Sequence, residues 1–371
     1  MNELVLISVV GTDQPGITAV ITQLLDQQDV DILDIGQSVI HDHLSLGILV
    51  NIPGDAASLK TAIDRIVSDF MVEVRFAPVT EQSYDTWVDL QGSSRYLLTL
   101  LARRVKAEHI GEVSAVIAEH GLNIDNITRL SGRVPLRQTD AKTKACVEFS
   151  LRGTPSRSFR QRLLTLCANL DVDVAVQEDG IYRRTRRLIA FDMDSTLIQT
   201  EVIDELASLA GVGGEVAEIT ARAMAGELDF AASLDRRVCL LKGLSESALE
   251  EVGTKLPLME GARHLFRTLS HLGYKTAILS GGFTYFGEIL QKKLSIDYVY
   301  ANNLIIEGGV LTGEVSKPVV DATKKAELLK LIADQEGVSL KQTIAVGDDA
   351  NDLAMLDVAG MGIAFHAKPL V

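Results

Sequence analysis

Apolar positions follow two regimes along this chain. Through about residue 178 they mark short strands and amphipathic helices separated by polar turns. From Arg187 onward they form unbroken runs that stop abruptly at charged residues, with helices between them. The first regime is that of half-buried elements around a small core. The second is that of a parallel sheet whose strands are buried on both faces.

The first half repeats itself. Residues 4–35 lie over 96–127 without a gap, which brings Leu24 onto Val116, Leu25 onto Ile117, Val30 onto Leu122, Ile32 onto Ile124 and Ile35 onto Ile127. In the first copy Leu4–Val10 reads as a strand and Gly11-Thr-Asp-Gln-Pro-Gly16 as a turn. Ile17–Gln27 follows as a helix with Ile17, Val20, Ile21 and Leu24 on one face, then Val30–Ile40 as a second strand. Leu44–Asn51, Ala57–Asp69 and Met71–Phe76 supply strand, helix and strand. The sum is a βαββαβ unit, an antiparallel sheet with helices on one face. Residues 81–94, which hold Trp87, and residues 178–187 read as linkers.

The second half is α/β, a doubly wound parallel sheet. Its candidate strands are Leu188–Phe191, Lys275–Leu279, Tyr298–Tyr300, Thr343–Val346 and Gly362–Phe365. A long helical insertion runs from Glu201 to about Thr268, with Leu234, Val238 and Leu241 at helical spacing and a break at Gly211-Val-Gly-Gly214. Placed after the first strand, it can cover the crevice at the strand tips and exclude water. The predicted division is therefore 1–80, 95–178 and 187–371, with the helical cap at about 201–268.

Bulk composition narrows the classes. The 371 residues exceed one ordinary core. Thirty-six basic against 50 acidic residues give a net charge of −14, which argues against nucleic-acid and anionic-membrane binding. Arg183-Arg184-Thr185-Arg186-Arg187 reads as a solvated linker with some contact to acidic surface, in preference to a nucleic-acid site. Cys146, Cys167 and Cys239 are widely spaced and read as small buried hydrophobes in a reducing compartment. The amino terminus lacks a basic leader and no segment approaches 18 apolar residues, so a cytoplasmic location is expected.

The chemistry concentrates where apolar runs end. Leu188-Ile-Ala-Phe191 runs into Asp192-Met-Asp-Ser-Thr196, and Asp192 and Asp194 share one space if strand geometry continues through them. Two bare carboxylates about 4 Å apart repel by about 4 kcal/mol at an effective dielectric near 20, so the pair calls for a cation or a shared proton. A hard divalent ion such as Mg2+ suits them. Alone, such a pair reads as turn or helix-cap chemistry before it reads as a cation site. Two further runs change that reading: Ser280-Gly281-Gly282 after Ala277–Leu279, and Gly347-Asp348-Asp349-Ala350-Asn351-Asp352 after Thr343–Val346. Small-residue loops at strand tips suit phosphate and metal. Lys324 and Lys325, which open the helix Lys324–Ile332, are both candidates for a lysine beside them. His41-Asp42-His43 reads as a polar strand end in preference to a metal pair.

With these motifs together, residues 187–371 resemble the haloacid dehalogenase superfamily and, within it, the phosphoserine phosphatases that carry amino-terminal ACT repeats. The βαββαβ unit with its G-x-D-x-P-G turn resembles an ACT domain, a family that binds amino acids. The resemblance implies Asp192 as nucleophile, forming an aspartyl-phosphate, and Asp194 as acid to the leaving alkoxide and then base to the attacking water. It implies Mg2+ held by Asp192, the main-chain carbonyl of Asp194 and Asp348. Ser280 and the backbone of Gly281 and Gly282 would cradle the phosphate, Asn351 would reach the phosphate or the substrate, and Asp352 would orient the metal shell or the lysine. The family pattern Lys-x-Glu-hydrophobic-Leu matches Lys325-Ala-Glu-Leu-Leu329, which selects Lys325 and leaves Lys324 solvated. Glu201 matches the family's acceptor of the substrate ammonium, Arg237 its partner for the carboxylate, and Phe230 its apolar cover.

The implied reaction is hydrolysis of O-phospho-L-serine to L-serine and phosphate, the last step of L-serine biosynthesis. A homodimer paired through the ACT repeats and an amino-acid effector there are implied as well, with Asp13 and Gly16 the candidate regulatory-ligand residues. The second copy carries Arg103, Val105, Ala107 and Glu108 where the first has Gly11, Asp13, Pro15 and Gly16, so it lacks that turn. Asp349 also departs from the family, which has glycine there, and reads as a solvent-facing carboxylate. Two other readings are a phosphatase or phosphotransferase on another small ester, indifferent to Glu201 and Arg237, and an amino-acid-sensing regulatory protein with an inactive phosphatase fold. Retention of Asp192, Asp194, Ser280, Lys325 and Asp348 together argues against the last.

Overall fold

The computed structural model describes residues 3–133, 135, 144–224, 227–368 and 371; Met1 and Asn2, part of the expected amino-terminal strand region, lie outside them. The chain divides into two compact units. One holds the residues up to Ser94 with Ile117–Asp125 and Arg152–Ser156, the other Arg95–Val116, Asn126–Leu151 and Arg157–Val371.

The first βαββαβ unit comprises β1 (Glu3–Thr12), α1 (Ile17–Gln27), β2 (Asp31–Ile40), β3 (His43–Ile52), α2 (Ala56–Ile66) and β4 (Val72–Val79). Its antiparallel sheet has the order β2-β3-β1-β4. Alternation does the sorting: Val5, Ile7 and Val9 of β1 and Leu44, Leu46, Ile48 and Val50 of β3 are buried, with Ile7 opposite Ile48. They meet Ile17, Ile21 and Leu25 of α1 and Leu59 and Ile63 of α2. Asp55 caps α2 by accepting from the backbone N–H groups of Ala57 and Ser58. Residues 81–94 are more than a linker: Glu81–Gln91 forms α3, capped by Thr80. No residue of α3 is buried, although Tyr84, Trp87 and Val88 stand at helical spacing and the Tyr84 and Trp87 rings meet at 5.9 Å.

The second copy has β5 (Arg95–Ala102), α4 (Ala107–Glu119), β6 (Asn123–Arg129), β7 (Ala145–Arg152), α5 (Arg157–Leu170) and β8 (Asp173–Glu178). Its sheet order, β6-β7-β5-β8, repeats that of the first. The linker after it makes the acidic contacts expected of it but is not solvated throughout. Arg186 is buried, with its guanidinium donating to Gln177 Oε1, and Arg183 pairs with Glu148 at 3.3 Å and Asp179 at 3.2 Å. Cys167 is buried and Cys146 half-buried, but Cys239 is exposed near the end of its helix.

The remaining chain builds a five-stranded parallel sheet from β9 (Leu188–Phe191), β10 (Lys275–Phe283), β11 (Tyr298–Asn302), β14 (Thr343–Gly347) and β15 (Met361–Ala364), in the order β11-β10-β9-β14-β15. Leu188 and Ala190 of β9 face one core, with Leu329 and Ile332, and Ile189 and Phe191 face another, with Phe266 and Phe286. Burial on both faces explains the uninterrupted apolar run. The chain leaves β9 toward β10 and β11 and later returns to its other side at β14, so the order reverses there. Ligands bind at such switch points, outside the carboxyl ends of the strands.

The insertion after β9 is helical as expected: α6 (Val202–Ala210), α7 (Gly213–Met224), α8 (Phe230–Cys239), α9 (Glu246–Lys255) and α10 (Ala262–His271). Gly211, with φ 72°, ends α6. After β10 come α11 (Thr284–Leu294) and β11, and later α12 (Ala322–Gln335) and, between β14 and β15, α13 (Leu353–Val358). Sequence reading missed the hairpin β12 (Leu304–Glu307) and β13 (Val310–Val315), whose β13 packs on α8 of the cap. Its signal was Gly308-Gly309, both at positive φ, between two apolar runs. Among the described residues no helix is long and apolar enough to cross a membrane.

Candidate active site

Three strand tips converge, but not by the route alternation suggests. β9 stops at Phe191; the Asp192 N–H still bonds Val346 O at 2.9 Å, and the chain then turns tightly, with Leu197 N bonded to Met193 O and Ser195 at φ 55°. A non-glycine residue in the left-handed region marks a turn held by its surroundings. This turn, not continued strand geometry, brings Asp192 and Asp194 together. Both are buried.

The centre is ionic. Lys325, on the first turn of α12 and wholly buried, lies 2.9 Å from Asp192 Oδ1 and 2.7 Å from Asp352 Oδ1. Burial alone would lower the Lys325 ammonium, but the Asp192 and Asp352 charges outweigh it and hold the group above the usual lysine value. Asp352 has both oxygens engaged, because Oδ2 accepts from the Asp348 and Asp349 N–H groups. Oxygens of Asp192, Asp348 and Asp352 lie within 4.8 Å of one another. Since Asp352 is committed, Asp192 and Asp348 are left to hold a cation. Beyond its ion pair with Lys325, Asp192 Oδ1 has no hydrogen-bond partner among the described residues. Asp348 Oδ1 accepts from the Thr196 hydroxyl, and burial raises its carboxyl despite that bond. Buried, partly unpaired carboxylates fit a hard cation.

Asp194 differs from its neighbours. Burial first, then the charges of Glu201 and Asp192, push its carboxyl well above the usual carboxylate range, against the pull of the Val202 N–H, which it accepts at 3.1 Å, and of Lys325. A carboxyl kept protonated beside an ionised partner can act as a general acid.

Ser280 is buried, and its Oγ accepts from Gly282 N at 3.0 Å, which leaves the hydroxyl proton for a ligand. Here glycine is required by proximity. A Cβ on Gly281 would lie 2.8 Å from Phe230 Cζ and 3.6 Å from Asn351 Nδ2, and one on Gly282 would collide with the Asp194 carboxylate. The structure thus gathers Phe230, Ser280, Gly281, Asn351 and Asp194 at one place. Phe283 precedes α11, whose amino end adds its dipole.

Glu201 precedes α6 and accepts the Ser195 hydroxyl at 2.9 Å. The residue as a whole opens to solvent, yet its carboxyl lies among protein atoms: burial raises it and the Ser195 bond opposes the rise. Arg237 on α8 is half-buried; burial lowers its guanidinium, and Glu201, Asp204 and Asp194 counter that. Six buried side-chain polar atoms lack a hydrogen-bond partner among the described residues. Three are Arg237 Nε, Asn351 Oδ1 and Asp192 Oδ1, whose one close cation is Lys325, and all three belong to expected site residues. Buried groups in that condition point to ligand contacts.

Sequence reasoning missed Asn302, Thr196 and Lys368. Asn302, at the end of β11, donates to Gly281 O at 2.8 Å and accepts from Val320 N at 2.8 Å, fixing the glycine loop. Only topology brings it there. Asp349 is not merely solvent-facing: it accepts the Ala350 N–H and pairs with Lys368 Nζ at 2.5 Å. In the first βαββαβ unit, Gly16 caps α1 at φ 101° and the Asp13 N–H bonds Asp42 O, so local geometry accounts for the turn. His41 Nδ1 pairs with Asp42 Oδ1 at 2.6 Å, in the open.

Comparisons with known proteins agree with this assembly. Residues 186–360 match the haloacid dehalogenase-like hydrolase model, and residues 3–77 and 94–177 each match an ACT domain model. A phosphoserine phosphatase of Streptomyces coelicolor is 41% identical over 99% of this chain and 86% of its own length. One of Mycobacterium tuberculosis is 43% identical over 98% and 87%. The crystal structure of a probable phosphoserine phosphatase from Vibrio cholerae, unliganded, superposes with a TM-score of 0.56 at 36% identity, covering 76% of this chain and 80% of that one. The chain belongs to the phosphoserine phosphatase family of haloacid dehalogenase-like hydrolases.

Proposed function

We propose that this chain hydrolyses O-phospho-L-serine to L-serine and phosphate through an aspartyl-phosphate on Asp192, with Mg2+ as the metal its family implies. The observation that carries the substrate is Arg237: a guanidinium with its buried Nε unpartnered, on the cap helix that also contributes Phe230, and within electrostatic reach of Glu201. A cation and an anion on one lip match the carboxylate and ammonium of a phosphoamino acid, and the planar guanidinium suits the carboxylate.

Asp192 and Asp348, with the Asp194 carbonyl, would hold Mg2+, which when bound neutralises phosphate charge. The chain's own groups do the rest. Asp192 attacks phosphorus, the bond from phosphorus to the serine oxygen breaks, and that oxygen takes the Asp194 proton. Water then gives a proton to Asp194 and attacks phosphorus, and the bond to Asp192 breaks to release phosphate. Lys325 holds Asp192 in line and Asp352 holds Lys325. The Ser280 hydroxyl, the Gly281 N–H and Asn351 receive the phosphate oxygens, and the Gly282 N–H holds the Ser280 oxygen in place.

The same reading divides the chain at 1–80, 95–178 and 187–371 with a cap at about 201–268, and places it in the cytoplasm at the last step of L-serine biosynthesis. It makes the chain a homodimer paired through its ACT repeats, where Asp13 and Gly16 take an amino-acid effector. The exposed apolar side chains Ile32, Ile35 and Val39 on the edge strand β2 support pairing.

Phosphate release from O-phospho-L-serine, measured with and without Mg2+ against sugar, nucleotide and phosphothreonine esters, tests the proposal beside Asp192→Asn. Metal-dependent preference for phosphoserine, lost in the variant, is expected. Equal activity on all esters would remove Glu201 and Arg237 from recognition, and activity retained by the variant would refute the nucleophile.

A further inference from the structure

The carboxyl-terminal segment contributes a cation to the site that the mechanism leaves unused. Lys368 anchors its backbone N–H on Asp348 O at 2.9 Å, and its Nζ lies 2.5 Å from Asp349 Oδ2. Asp349 is held in turn, for its Oδ1 accepts the Ala350 N–H at 2.7 Å and its own N–H bonds Asp352 Oδ2 at 3.1 Å. Both side chains of the pair are half-exposed, at 40% and 35%, so the ammonium is free to swing if released. Glu201 is close by a short chain of contacts: it accepts the Ser195 hydroxyl at 2.9 Å, the next residue, Thr196, donates to Asp348 Oδ1 at 3.0 Å, and the Asp348 carbonyl holds the Lys368 N–H. The charges of Glu201 and Asp348 accordingly act on the ammonium.

That arrangement poses a problem of competition. Glu201 already accepts the Ser195 hydroxyl and has capacity for a cation. A tethered ammonium arriving from Lys368 would occupy the position that, on the reading above, the substrate's ammonium takes. Tethering gives such a competitor a high effective concentration.

We propose that Asp349 is a specificity-determining positioning residue: its ion pair draws Lys368 away from Glu201 and so keeps Glu201 available to the ammonium of the phosphoamino acid. This rests on the assignment of Glu201 as ammonium acceptor. Asp349 does not touch substrate; it acts through Lys368. Restraining a built-in rival raises selectivity without a new contact to the ligand.

The test uses Asp349→Asn, in which the side-chain oxygen can still accept the Ala350 N–H while the charge is gone. Steady-state kinetics are compared on O-phospho-L-serine and on 3-phosphooxypropanoate, the same ester without its ammonium, for Asp349→Asn, for Asp349→Asn with Lys368→Met, and for Glu201→Gln. Expected is a rise of about threefold to fivefold in KM for phosphoserine in Asp349→Asn, the scale of one half-exposed ion pair. The kcat should hold, the KM for the ammonium-free ester should not rise, and removing Lys368 should restore the phosphoserine KM. Equal losses on both esters, a fall in kcat alone, no change, or failure of the second substitution to rescue would overturn the inference. If Glu201→Gln itself leaves the phosphoserine KM untouched, the underlying assignment fails and takes the inference with it. If Glu201→Gln raises KM and Asp349→Asn does not, the inference alone is refuted.

Discussion

Lys325→Met removes the one cation at the centre of the buried cluster. In the native chain Lys325 is wholly buried between Asp192 and Asp352, and no other lysine or arginine forms an ion pair with either carboxylate among the described residues. Removing one partner of a buried pair costs about 3–5 kcal/mol. An independent route gives a similar figure. Without the ammonium, Asp192 and Asp352 face each other with oxygens within 4.8 Å, a repulsion of about 3 kcal/mol at an effective dielectric near 20.

The sign with pH separates this account from a loss of packing. Burial and then the Asp192 charge raise the Asp352 carboxyl, and Lys325 opposes that rise. In the variant the opposition is gone, so the folded state binds more protons than the unfolded one and stability rises as pH falls. The native lysine contributes differently: its folded value is raised, so its contribution is complete below the ordinary lysine range and is lost only in strong alkali. The deficit of Lys325→Met relative to the native chain should therefore be larger at pH 8 than at pH 5. Backbone hydrogen exchange in β9 and β14, with chelator present, is the suitable assay. Fluorescence is not, because the only tryptophan, Trp87, lies in α3 of the other unit. A deficit equal at both pH values would refute the electrostatic reasoning.

Arg237→Ala should weaken turnover of phosphoserine far more than that of p-nitrophenyl phosphate, which has no carboxylate; equal losses on the two would remove Arg237 from recognition. Asn302→Ala leaves Gly281 O and Val320 N without their side-chain partner and should cost about 2 kcal/mol in urea unfolding, with kcat/KM falling on every ester alike; unchanged kinetics would mean that the glycine loop holds itself. Burial pushes the Cys167 thiol up to about 11, so about 0.1% is thiolate at pH 8. Iodoacetamide should then label exposed Cys239 first, and faster labelling of Cys167, read by peptide mass spectrometry, would contradict its burial.

What could be read from sequence was whatever leaves a periodic or abrupt mark. β9 is an unbroken apolar run because both its faces are buried, and its charged end was visible for the same reason. The amphipathic face of α1 was equally plain. The helix α3 was passed over although Tyr84, Trp87 and Val88 stand at helical spacing, and so was the hairpin of β12 and β13 although Gly308-Gly309 announced its turn. Asn302 and Lys368 were invisible for a different reason. Each acts on a loop distant in sequence, Asn302 on Gly281 and Lys368 on Asp349, and neither sits in a local pattern that chemistry demands.

That difference bears on how the molecule divides its tasks. The groups proposed for phosphoryl chemistry stand on strand tips of one sheet, positioned by β9, β10, β14 and the start of α12, where ladder bonds and two cores restrain them. Those proposed for reading the amino acid, Glu201, Phe230 and Arg237, stand at the beginning of α6 and on α8, outside that sheet. Chemistry common to every phosphate ester is thus held by the stiff part of the fold, and selection among esters by a helical layer laid over it. A cap can change its side chains without disturbing in-line attack, so alterations there should redistribute activity among esters, whereas alterations at the strand tips should lower it for all of them. Asp349 stands at the junction, one residue beyond Asp348 yet linked through Lys368 toward Glu201, and this is why its substitution distinguishes the two kinds of failure.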